Sequence, residues 1–349
     1  MKFRHEVIDP QPPGAEHDIT LLFDVNGNNK KDIVIGAKKG DPNVFWYENP
    51  SWERHPLATV PSLEAGGVVL DINGNGRLDF VAGREGKGKE LYWFENPEDP
   101  TPQWKVHLIT DRFERYHDQA IGDIDGDGKP EILISSQNVG VIAYFDIPED
   151  PTVSPWPEEC CHVLAEDMPR TEGLVVIDLD GDGLNELVIG PNVFWPTGDP
   201  ANPWRRENFA PELVMTRAAV VDIDGDGKLE IVLAEGESNP GRLVWCKPGE
   251  WELNLLNDGL FHPHSLEIAD FSGDGRPDIF VAEMGLGRNP DPEMMIYVNQ
   301  GGGEFEKFTV QRGIPTHEAK VADLTGDGKP DIVGKPYQPE SHIDVWFNE

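Results

Sequence analysis

Residues 123–131 read Asp-Ile-Asp-Gly-Asp-Gly-Lys-Pro-Glu, and this nine-residue phrase decides the fold because it recurs along the whole chain. Close copies occupy residues 178–186 and 222–230, and degraded copies occupy residues 24–32, 71–79, 270–278 and 323–331. The seven copies begin 44 to 55 residues apart. Repetition at such a period indicates an array of similar structural units, so the repeat has to be interpreted before any single residue.

Each copy alternates oxygen-bearing side chains at positions 1, 3, 5 and 9 around a glycine at position 4. Such oxygens can converge on one hard cation, the glycine permits the bend, and the last carboxylate closes the coordination shell. The spacing resembles the first part of an EF-hand loop, although its final acid stands at position 9 instead of 12. For one copy, a polar turn without metal is an equal alternative, but repetition in register favours structural Ca²⁺ in most copies. The predicted ligands are Asp24, Asn26, Asn28, Asp32, Asp71, Asn73, Asn75, Asp79, Asp123, Asp125, Asp127, Glu131, Asp178, Asp180, Asp182, Glu186, Asp222, Asp224, Asp226, Glu230, Asp270, Ser272, Asp274, Asp278, Asp323, Thr325, Asp327 and Asp331.

The first two copies carry less charge than the others. Both place asparagine at positions 3 and 5, where the central copies place aspartate. Copy one also has Asn29 where the other copies have glycine. Because ligand charge contributes to calcium affinity, we expect these two sites to bind most weakly or to be empty.

The composition agrees with a metal-binding scaffold and argues against several partners. The chain has 64 acidic and 29 basic residues, a formal net charge of -35. The loops explain part of this excess, and the remainder argues against nucleic acid and against an anionic membrane surface. No apolar run is long enough for a membrane span, and residues 1–6 lack the apolar core of a secretion signal. The sequence therefore predicts a cytoplasmic protein as encoded, or a secreted one if a leader was removed, and it leaves the oligomeric state open.

Short apolar runs flank the loops, and they indicate buried strands because they are β-branched and too short for helices. Residues 33–35, directly after the first loop, are an example. A third, aromatic run follows in each repeat. Most repeats add a fourth run that opens with a tryptophan, as at Trp52, Trp104, Trp204 and Trp251. Four strands in about 50 residues are typical of a propeller blade.

The two ends of the chain fit together in this scheme. The last repeat stops after its third strand, and residues 2–9 match the fourth-strand phrase. We therefore expect the N-terminal strand to complete the last blade and close the ring without an unpaired edge. The predicted fold is all-β, a single seven-bladed β-propeller over residues 1–349, with calcium loops between the first and second strands of each blade. An open solenoid would leave the three-stranded last repeat unexplained.

These loops and strands resemble the FG-GAP/VCBS calcium-loop repeat family, whose blades also form the propeller of integrin α-chains. The resemblance extends over essentially all 349 residues and is specific for fold and calcium. It implies little about activity, because one propeller scaffold hosts many functions. In such blades the first strand runs along the central channel. Residues that precede this strand should therefore meet at the channel mouth, opposite the calcium loops.

The position six residues before each calcium loop is thus the place to look for function. The residues there are Asp18, Ala65, His117, Glu172, Thr216, His264 and His317. Histidines and glutamates from different blades could hold a catalytic Zn²⁺ or a similar divalent ion with an open coordination position. The predicted ligands are His264 and His317, joined by Glu172 or His117. A polar funnel without any ligand is the alternative.

This mouth is similar to that of the propeller module in the aldos-2-ulose dehydratase family, and to propeller polysaccharide lyases such as ulvan lyases. Both resemblances imply β-elimination on a sugar or polysaccharide, which needs an electrophile, a base and an acid. They imply a carbon–oxygen lyase or dehydratase with the mouth metal as electrophile. Arg217 would clamp a carboxylate, and a remaining histidine or Tyr337 would move protons. The dehydratase family carries cupin-like domains after its propeller, whereas this chain ends with the propeller.

The alternative function is a non-catalytic, calcium-stabilised propeller that binds a glycan or a protein through the same face. Formation of an unsaturated product from a defined sugar would separate a lyase from such a binding protein.

Overall fold

The computed structural model describes residues 1–199 and 201–349, and over these ranges the fold is all-β. Its strands form seven four-stranded antiparallel sheets, which are the blades of a β-propeller. Runs such as residues 33–35 and 132–134 adopt strands because their β-branched and aliphatic side chains are fully buried between blades. A 3₁₀ turn at Glu158–Cys160 precedes one strand. No helix in the described ranges is long and apolar enough to cross a membrane.

Each blade takes consecutive strands of the chain, except the last, which combines both ends. Blade one contains β2 (Ala15–Phe23), β3 (Asp32–Lys39), β4 (Val44–Glu48) and β5 (Glu53–Ala58). Blade two contains β6 (Val68–Leu70), β7 (Asp79–Gly83), β8 (Leu91–Glu95) and β9 (Lys105–Thr110). Blade three contains β10 (Tyr116–Gly122), β11 (Glu131–Ser136), β12 (Val141–Phe145) and β13 (Cys161–Ala165). Blade four contains β14 (Leu174–Ile177), β15 (Glu186–Ile189), β16 (Asn192–Pro196) and β17 (Trp204–Asn208). Blade five contains β18 (Thr216–Val221), β19 (Glu230–Glu235), β20 (Gly241–Cys246) and β21 (Asn254–Leu260). Blade six contains β22 (Ser265–Ala269), β23 (Asp278–Ala282), β24 (Glu293–Gly301) and β25 (Glu304–Arg312). Blade seven contains β26 (Lys320–Ala322), β27 (Asp331–Gly334), β28 (Ile343–Asn348) and β1 (Phe3–Asp9).

The first strand of each blade is innermost. Strands β2, β6, β10, β14, β18, β22 and β26 contact one another in this order, and β26 also contacts β2. The nine-residue loops follow these strands at one end of the channel, and the residues that precede the strands lie at the other end. Strand β1 pairs antiparallel with β28, from Phe3 opposite Asn348 to Val7 opposite Asp344.

The hydrophobic cores lie between neighbouring blades. One core joins Trp46 of blade one to Phe80 of blade two, and the next joins Trp93 of blade two to Ile132 of blade three. The indole of Trp46 also donates a hydrogen bond to the carbonyl of Pro100 at 3.2 Å. Truncating a buried tryptophan costs about 3–5 kcal/mol. The aromatic third strands therefore serve the packing of one blade against the next.

The repeated tryptophan lies in the turn before the fourth strand more often than in the strand itself. Trp251 precedes β21, has a φ of 58° and stacks on Phe209 with ring centroids 4.6 Å apart. Trp52 has the same left-handed backbone, with a φ of 53°, directly before β5. Trp204 does begin its strand. The prediction that the fourth strand of blade five begins at Trp251 was therefore wrong, because this residue closes the preceding turn.

Candidate active site at the channel mouth and candidate metal loops

The nine-residue loops are folded by hydrogen bonds from their own backbone. Asp123 Oδ1 accepts the amide of Gly126 at 2.8 Å, and Oδ2 accepts the amide of Gly128 at 3.0 Å. Both glycines are left-handed, with φ of 81° and 85°, a conformation that side chains disfavour. The loop therefore bends around its first carboxylate and brings the later acidic positions beside it.

This arrangement fits a hard cation. In loops three and four, one carboxylate oxygen from each of three residues lies within 4.8 Å of the other two. The two sets are Asp123, Asp125 and Asp127, and Asp178, Asp180 and Glu186. Oxygen ligands at such spacing suit Ca²⁺, which takes several carboxylates in flexible geometry.

Loops one and five differ from this arrangement. In loop one, the amide of Asn26 donates a hydrogen bond to Glu48 Oε1 at 2.9 Å, at the end of the third strand. In loop five, Nζ of Lys247 lies 2.6 Å from Asp224 Oδ2 and 2.6 Å from Asp226 Oδ2. An ammonium group thus stands among the carboxylates of loop five, where a calcium ion would have to compete with it.

The last carboxylate of the loop helps to join neighbouring blades in four repeats. Asp79 accepts the amides of Ile72 at 3.0 Å and Asn96 at 2.7 Å, and the Asn96 side chain donates to the carbonyl of Val25 in blade one at 2.9 Å. Equivalent pairs are Asp32 with Asn49, Asp278 with Asn299, and Asp331 with Asn348. In the other three repeats the loop ends with glutamate, and these residues are Glu131, Glu186 and Glu230.

At the opposite end of the channel, a left-handed residue precedes several of the predicted mouth positions. The left-handed residues are Glu16, Arg115, Arg170 and His262, with φ of 58°, 57°, 59° and 45°. They stand two residues before Asp18, His117, Glu172 and His264. Such a conformation costs about 1–3 kcal/mol for a residue other than glycine, and it recurs at functional sites. Gly173 is also required here, because a Cβ would lie 2.4 Å from the carbonyl oxygen of Thr216 in the next blade.

Four side chains from four blades meet at this end. They are His117, Glu172, Glu237 and His264, and one ligand atom of each lies within 4.8 Å of the others. His117 Nε2 is 3.5 Å from Glu172 Oε1. His264 Nε2 is 3.7 Å from Glu172 Oε2 and 3.5 Å from Glu237 Oε1. Glu172 therefore lies between the two imidazoles, and both point Nε2 toward it.

This four-residue cluster is buried, yet it is not saturated by hydrogen bonds. The side chains of Glu172 and His264 are 0% exposed, and that of Glu237 is 28% exposed. Gln137 donates to Glu172 Oε1, but Glu172 Oε2 and His264 Nε2 have no hydrogen-bond partner among the described residues. A buried polar atom without a partner costs about 1–3 kcal/mol. The donor set fits a zinc-type divalent ion, which binds imidazole nitrogen and carboxylate oxygen.

Arg217 is already engaged by two carboxylates of the protein. Its guanidinium lies 2.8 Å from Asp118 Oδ1 and 3.4 Å from Glu318 Oε1, and its side chain is 12% exposed. The same carboxylates face the histidines, since Asp118 is 3.5 Å from His117 Nδ1 and Glu318 is 3.1 Å from His264 Nδ1. Arg217 therefore has two carboxylate partners within the protein, and its binding to a substrate carboxylate stays a prediction.

His317 lies beside the cluster and contacts it through His264. The two rings stack with centroids 4.5 Å apart, and together with Glu318 they form a second group of ligand atoms within 4.8 Å of one another. His317 Nδ1 is 3.2 Å from Asp18 Oδ1, and its ring centroid is 5.0 Å from that of Tyr337. Burial and the neighbouring His264 hold the pKa of His317 well below its usual value. This imidazole is therefore neutral at physiological pH.

Tyr337 and Lys38 form the outer part of the same site. Burial raises the pKa of Tyr337 to about 12, so its hydroxyl is protonated at neutral pH. Nζ of Lys38 lies 5.1 Å from the Tyr337 ring centroid, 2.9 Å from Asp18 and 3.1 Å from Glu85. Burial disfavours the charge on Lys38, but Asp18 and Glu64 outweigh it and raise its pKa. A fixed positive charge therefore stands next to the phenol.

The sequence predicted most of these residues, but not Glu237. Glu235, the last residue of β19, does not join the cluster, because its carboxylate accepts a hydrogen bond from Arg242 Nε at 2.7 Å. Glu237 stands two residues later, beyond the end of the strand, and reaches His264. No repeated phrase marks this position, so the only available signal was the alternation of glutamates after the strand.

Comparison with known proteins identifies the repeat. Six overlapping segments match the FG-GAP-like repeat family, and they are residues 24–82, 71–134, 123–189, 178–233, 222–281 and 270–334. Each segment begins at one nine-residue loop and ends beyond the next. No curated protein matches the chain.

Several solved structures share the fold. A lectin of Agrocybe aegerita that recognises non-reducing terminal N-acetylglucosamine is 17% identical, with 96% of this chain and 86% of that chain covered and a TM-score of 0.56. A rhamnogalacturonan lyase of Bacillus licheniformis is 11% identical, with 99% and 75% covered and a TM-score of 0.55. The rhamnogalacturonan lyase YesW is 11% identical, with 98% and 75% covered and a TM-score of 0.57. At such identities the likeness shows the propeller fold alone.

Proposed function

The chain belongs to the FG-GAP-like repeat family, and from this premise we propose that it is a carbohydrate-directed lyase or dehydratase with its active site at the channel mouth. The observation that carries the proposal is the convergence of His117, Glu172, Glu237 and His264 from four blades. Four of their buried side-chain atoms have no hydrogen-bond partner among the described residues, and these are His117 Nδ1, Glu172 Oε2, His264 Nδ1 and His264 Nε2. A divalent ion held by these four side chains would give Glu172 Oε2 and His264 Nε2 the partner that buried polar atoms usually have.

These four side chains would hold one divalent ion such as Zn²⁺. Imidazole and carboxylate ligands together are typical of catalytic zinc, which keeps a position open for substrate. When bound, the ion supplies the electrophile that polarises the carbonyl or carboxylate oxygen next to the acidic carbon. Glu237 is the only partly exposed side chain among Glu172, Glu237 and His264, so a sugar would approach from its side.

The remaining mouth residues can move the protons of a β-elimination. His317 is neutral because its pKa is held low, so it can accept the proton from the α-carbon, and Asp18 at 3.2 Å then stabilises the imidazolium. The bond between the β-carbon and its oxygen breaks, and that oxygen leaves with the bonding electrons. Tyr337, whose pKa is about 12, donates a proton to it, and Lys38 stabilises the phenolate. The electrons of the α-carbon form the new double bond, so no redox partner is needed.

The solved structures support a carbohydrate as substrate. Two of them are rhamnogalacturonan lyases, and the third is a lectin for N-acetylglucosamine. The proposal also assigns structural Ca²⁺ to the nine-residue loops. Their backbone-oriented carboxylates repel one another without a cation, so an ion that binds the folded loops stabilises the propeller.

The test combines metal analysis with product detection. The purified protein is analysed for bound calcium and transition metals, then incubated with neutral keto sugars and with acidic polysaccharides while the ultraviolet absorbance of an unsaturated product is followed. We expect several calcium ions, about one transition metal and product from one substrate class. His264→Ala should lose the transition metal and the product.

His162→Ala is the matched control, because this histidine pairs with Asp146 on the outer surface of blade three at 3.0 Å. It should keep the metal and the activity. Full turnover in the His264→Ala protein, with a normal melting curve in calcium, would contradict the proposed site.

A non-catalytic glycan-binding propeller is the second candidate, and the likeness to the lectin that recognises N-acetylglucosamine favours it. The same incubation distinguishes the two functions. Glycan binding detected by calorimetry, without product from any tested sugar, would support this second function.

A further inference from the structure

Arg217 connects both histidines of the proposed metal site, although its ion pairs are with Asp118 and Glu318 and with none of the four proposed ligands. It extends from β18 of blade five and reaches Asp118 of blade three at 2.8 Å and 3.0 Å and Glu318 of blade seven at 3.4 Å. The three residues come from three different blades and are nearly buried, with side-chain exposures of 12%, 5% and 2%. This ion cluster therefore spans the channel beneath the mouth.

Each carboxylate of this cluster continues to one imidazole. Asp118 Oδ2 lies 3.5 Å from His117 Nδ1, and Glu318 Oε1 lies 3.1 Å from His264 Nδ1. Asp118 Oδ2 also accepts the backbone amide next to Glu172, that of Gly173, at 2.7 Å. Both histidines consequently have Nδ1 beside a carboxylate and Nε2 directed at Glu172.

We infer that Arg217 is a positioning residue for the metal site. It fixes one carboxylate 3.5 Å from Nδ1 of His117 and another 3.1 Å from Nδ1 of His264, which favours the tautomer protonated at Nδ1 and leaves both Nε2 lone pairs available to the ion. Carboxylates behind metal-bound histidines generally set the tautomer and the ring orientation in this way. The inference rests on the proposed function, since it presupposes an ion on these histidines.

If Arg217 positions the carboxylates, its removal changes the affinity for a cation in the direction opposite to that expected from charge alone. Removal of a buried positive charge makes the mouth more negative, which by itself strengthens the binding of a cation. Loss of the positioning contacts weakens binding instead, because Asp118 and Glu318 then repel each other and release the imidazoles. The direction of the change in affinity therefore separates the two effects.

Arg115 provides the matched control. It is also a mouth arginine, and its Nε pairs with Glu64 at 2.9 Å, not with Asp118 or Glu318. Removal of its charge should also make the mouth more negative. Arg115→Met should therefore leave metal affinity unchanged or strengthen it.

The experiment measures the dissociation constant for Zn²⁺ by competition with a chromophoric chelator, at fixed pH and in excess calcium. Arg217→Met should weaken binding about 10- to 100-fold relative to the natural protein, the range found when residues behind metal ligands are replaced. Arg217→Lys, which keeps the charge but lacks the planar fork, should weaken it less. This second variant decides the question if Arg217→Met does not fold.

The outcomes separate the two proposals. An Arg217→Met protein, or an Arg217→Lys protein if the former does not fold, that binds Zn²⁺ as tightly as the natural protein or more tightly would overturn the positioning role alone. A natural protein that binds no Zn²⁺ at all would overturn both the proposed metal site and the positioning role. Equal weakening in Arg115→Met would also overturn the inference, because the effect would not depend on Asp118 and Glu318.

Discussion

The two ends of the inner strand of blade four carry acids that behave in opposite ways. At one end, Asp178 accepts amides of its own loop, at 2.8 Å from Gly181 and 3.0 Å from Gly183. At the other end, Glu172 faces imidazoles from blades three and six and is fully buried. The first acid has a counterpart in every repeat, whereas the second does not. Repetition thus encodes the scaffold, and the residues that break the repetition carry the proposed chemistry.

The largest effect should come from the repeated end, when calcium is removed together from the loops proposed to bind it. Prolonged dialysis against excess chelator should lower the melting temperature, because one site occupied at 100 times its dissociation constant contributes about 2.7 kcal/mol and several sites act at once. Scanning calorimetry before and after dialysis measures the change. Restored calcium should recover the original curve, and zinc should not. An identical curve after dialysis would refute calcium in the loops.

The next largest effect should come from the mouth end of the inner strands, where the residues differ from blade to blade. Glu172→Gln should reduce turnover by about 100-fold or more, the size expected when one charge-stabilising group is lost. Glu267→Gln is its control, since Glu267 also lies in the channel and pairs with Lys320 at 2.7 Å. The control should keep its turnover on the same sugar. Equal losses in the two variants would mean that channel charge in general, and not Glu172 itself, supports the activity.

A smaller effect concerns the contacts between blades. Asn96 is buried and donates to Val25 at 2.9 Å and to Leu78 at 3.1 Å, so Asn96→Ala should lower the free energy of unfolding by about 1–3 kcal/mol. Asn138 also joins two blades, by a bond to Gly86 at 2.7 Å, but it is exposed. Asn138→Ala should change stability by less than about 0.5 kcal/mol. Denaturant unfolding in calcium measures the free energy of unfolding of both variants. Equal losses would contradict a special contribution of Asn96 to the contact between blades.

The smallest effect concerns pH and the strand at the chain end. A hydrogen bond to buried Asp344 raises the pKa of His342. Its stabilising contribution is therefore complete below the unfolded pKa of about 6.5 and is lost as the pH rises through the folded pKa. The difference in unfolding free energy between the natural protein and Asp344→Asn should shrink over that range, by at most about 1 kcal/mol. A constant difference across this pH range would exclude the linkage.

The sequence predicted the blades because their signals repeat. Alternating oxygens, β-branched flanks and aromatic third strands each recur, so an error in one copy is corrected by the others. The predicted mouth residues His117, Glu172 and His264 were found for the same reason, since they share one position relative to the loops. Their mutual distances came only from the structure, because the sequence does not give the order of contacts across a channel.

Residues that do not occupy a repeated position could not be predicted in this way. Glu237 reaches the mouth from beyond a strand end, and the role of Arg217 depends on carboxylates from two other blades. Lys247 was likewise not expected among the acids of loop five. Each of these contacts depends on side-chain length and on the rotation of one blade relative to the next. A local sequence pattern predicts neither of these.

The left-handed residue that precedes several mouth positions has a consequence for evolution. The left-handed backbone at Arg115, Arg170 and His262 precedes mouth residues of two different kinds, His117, Glu172 and His264, so the same local geometry accommodates different side chains two positions later. The corresponding mouth positions of blades two and five hold the small residues Ala65 and Thr216. One propeller could thus acquire a new specificity by a few substitutions around a ring, while the opposite end of every inner strand stays unchanged.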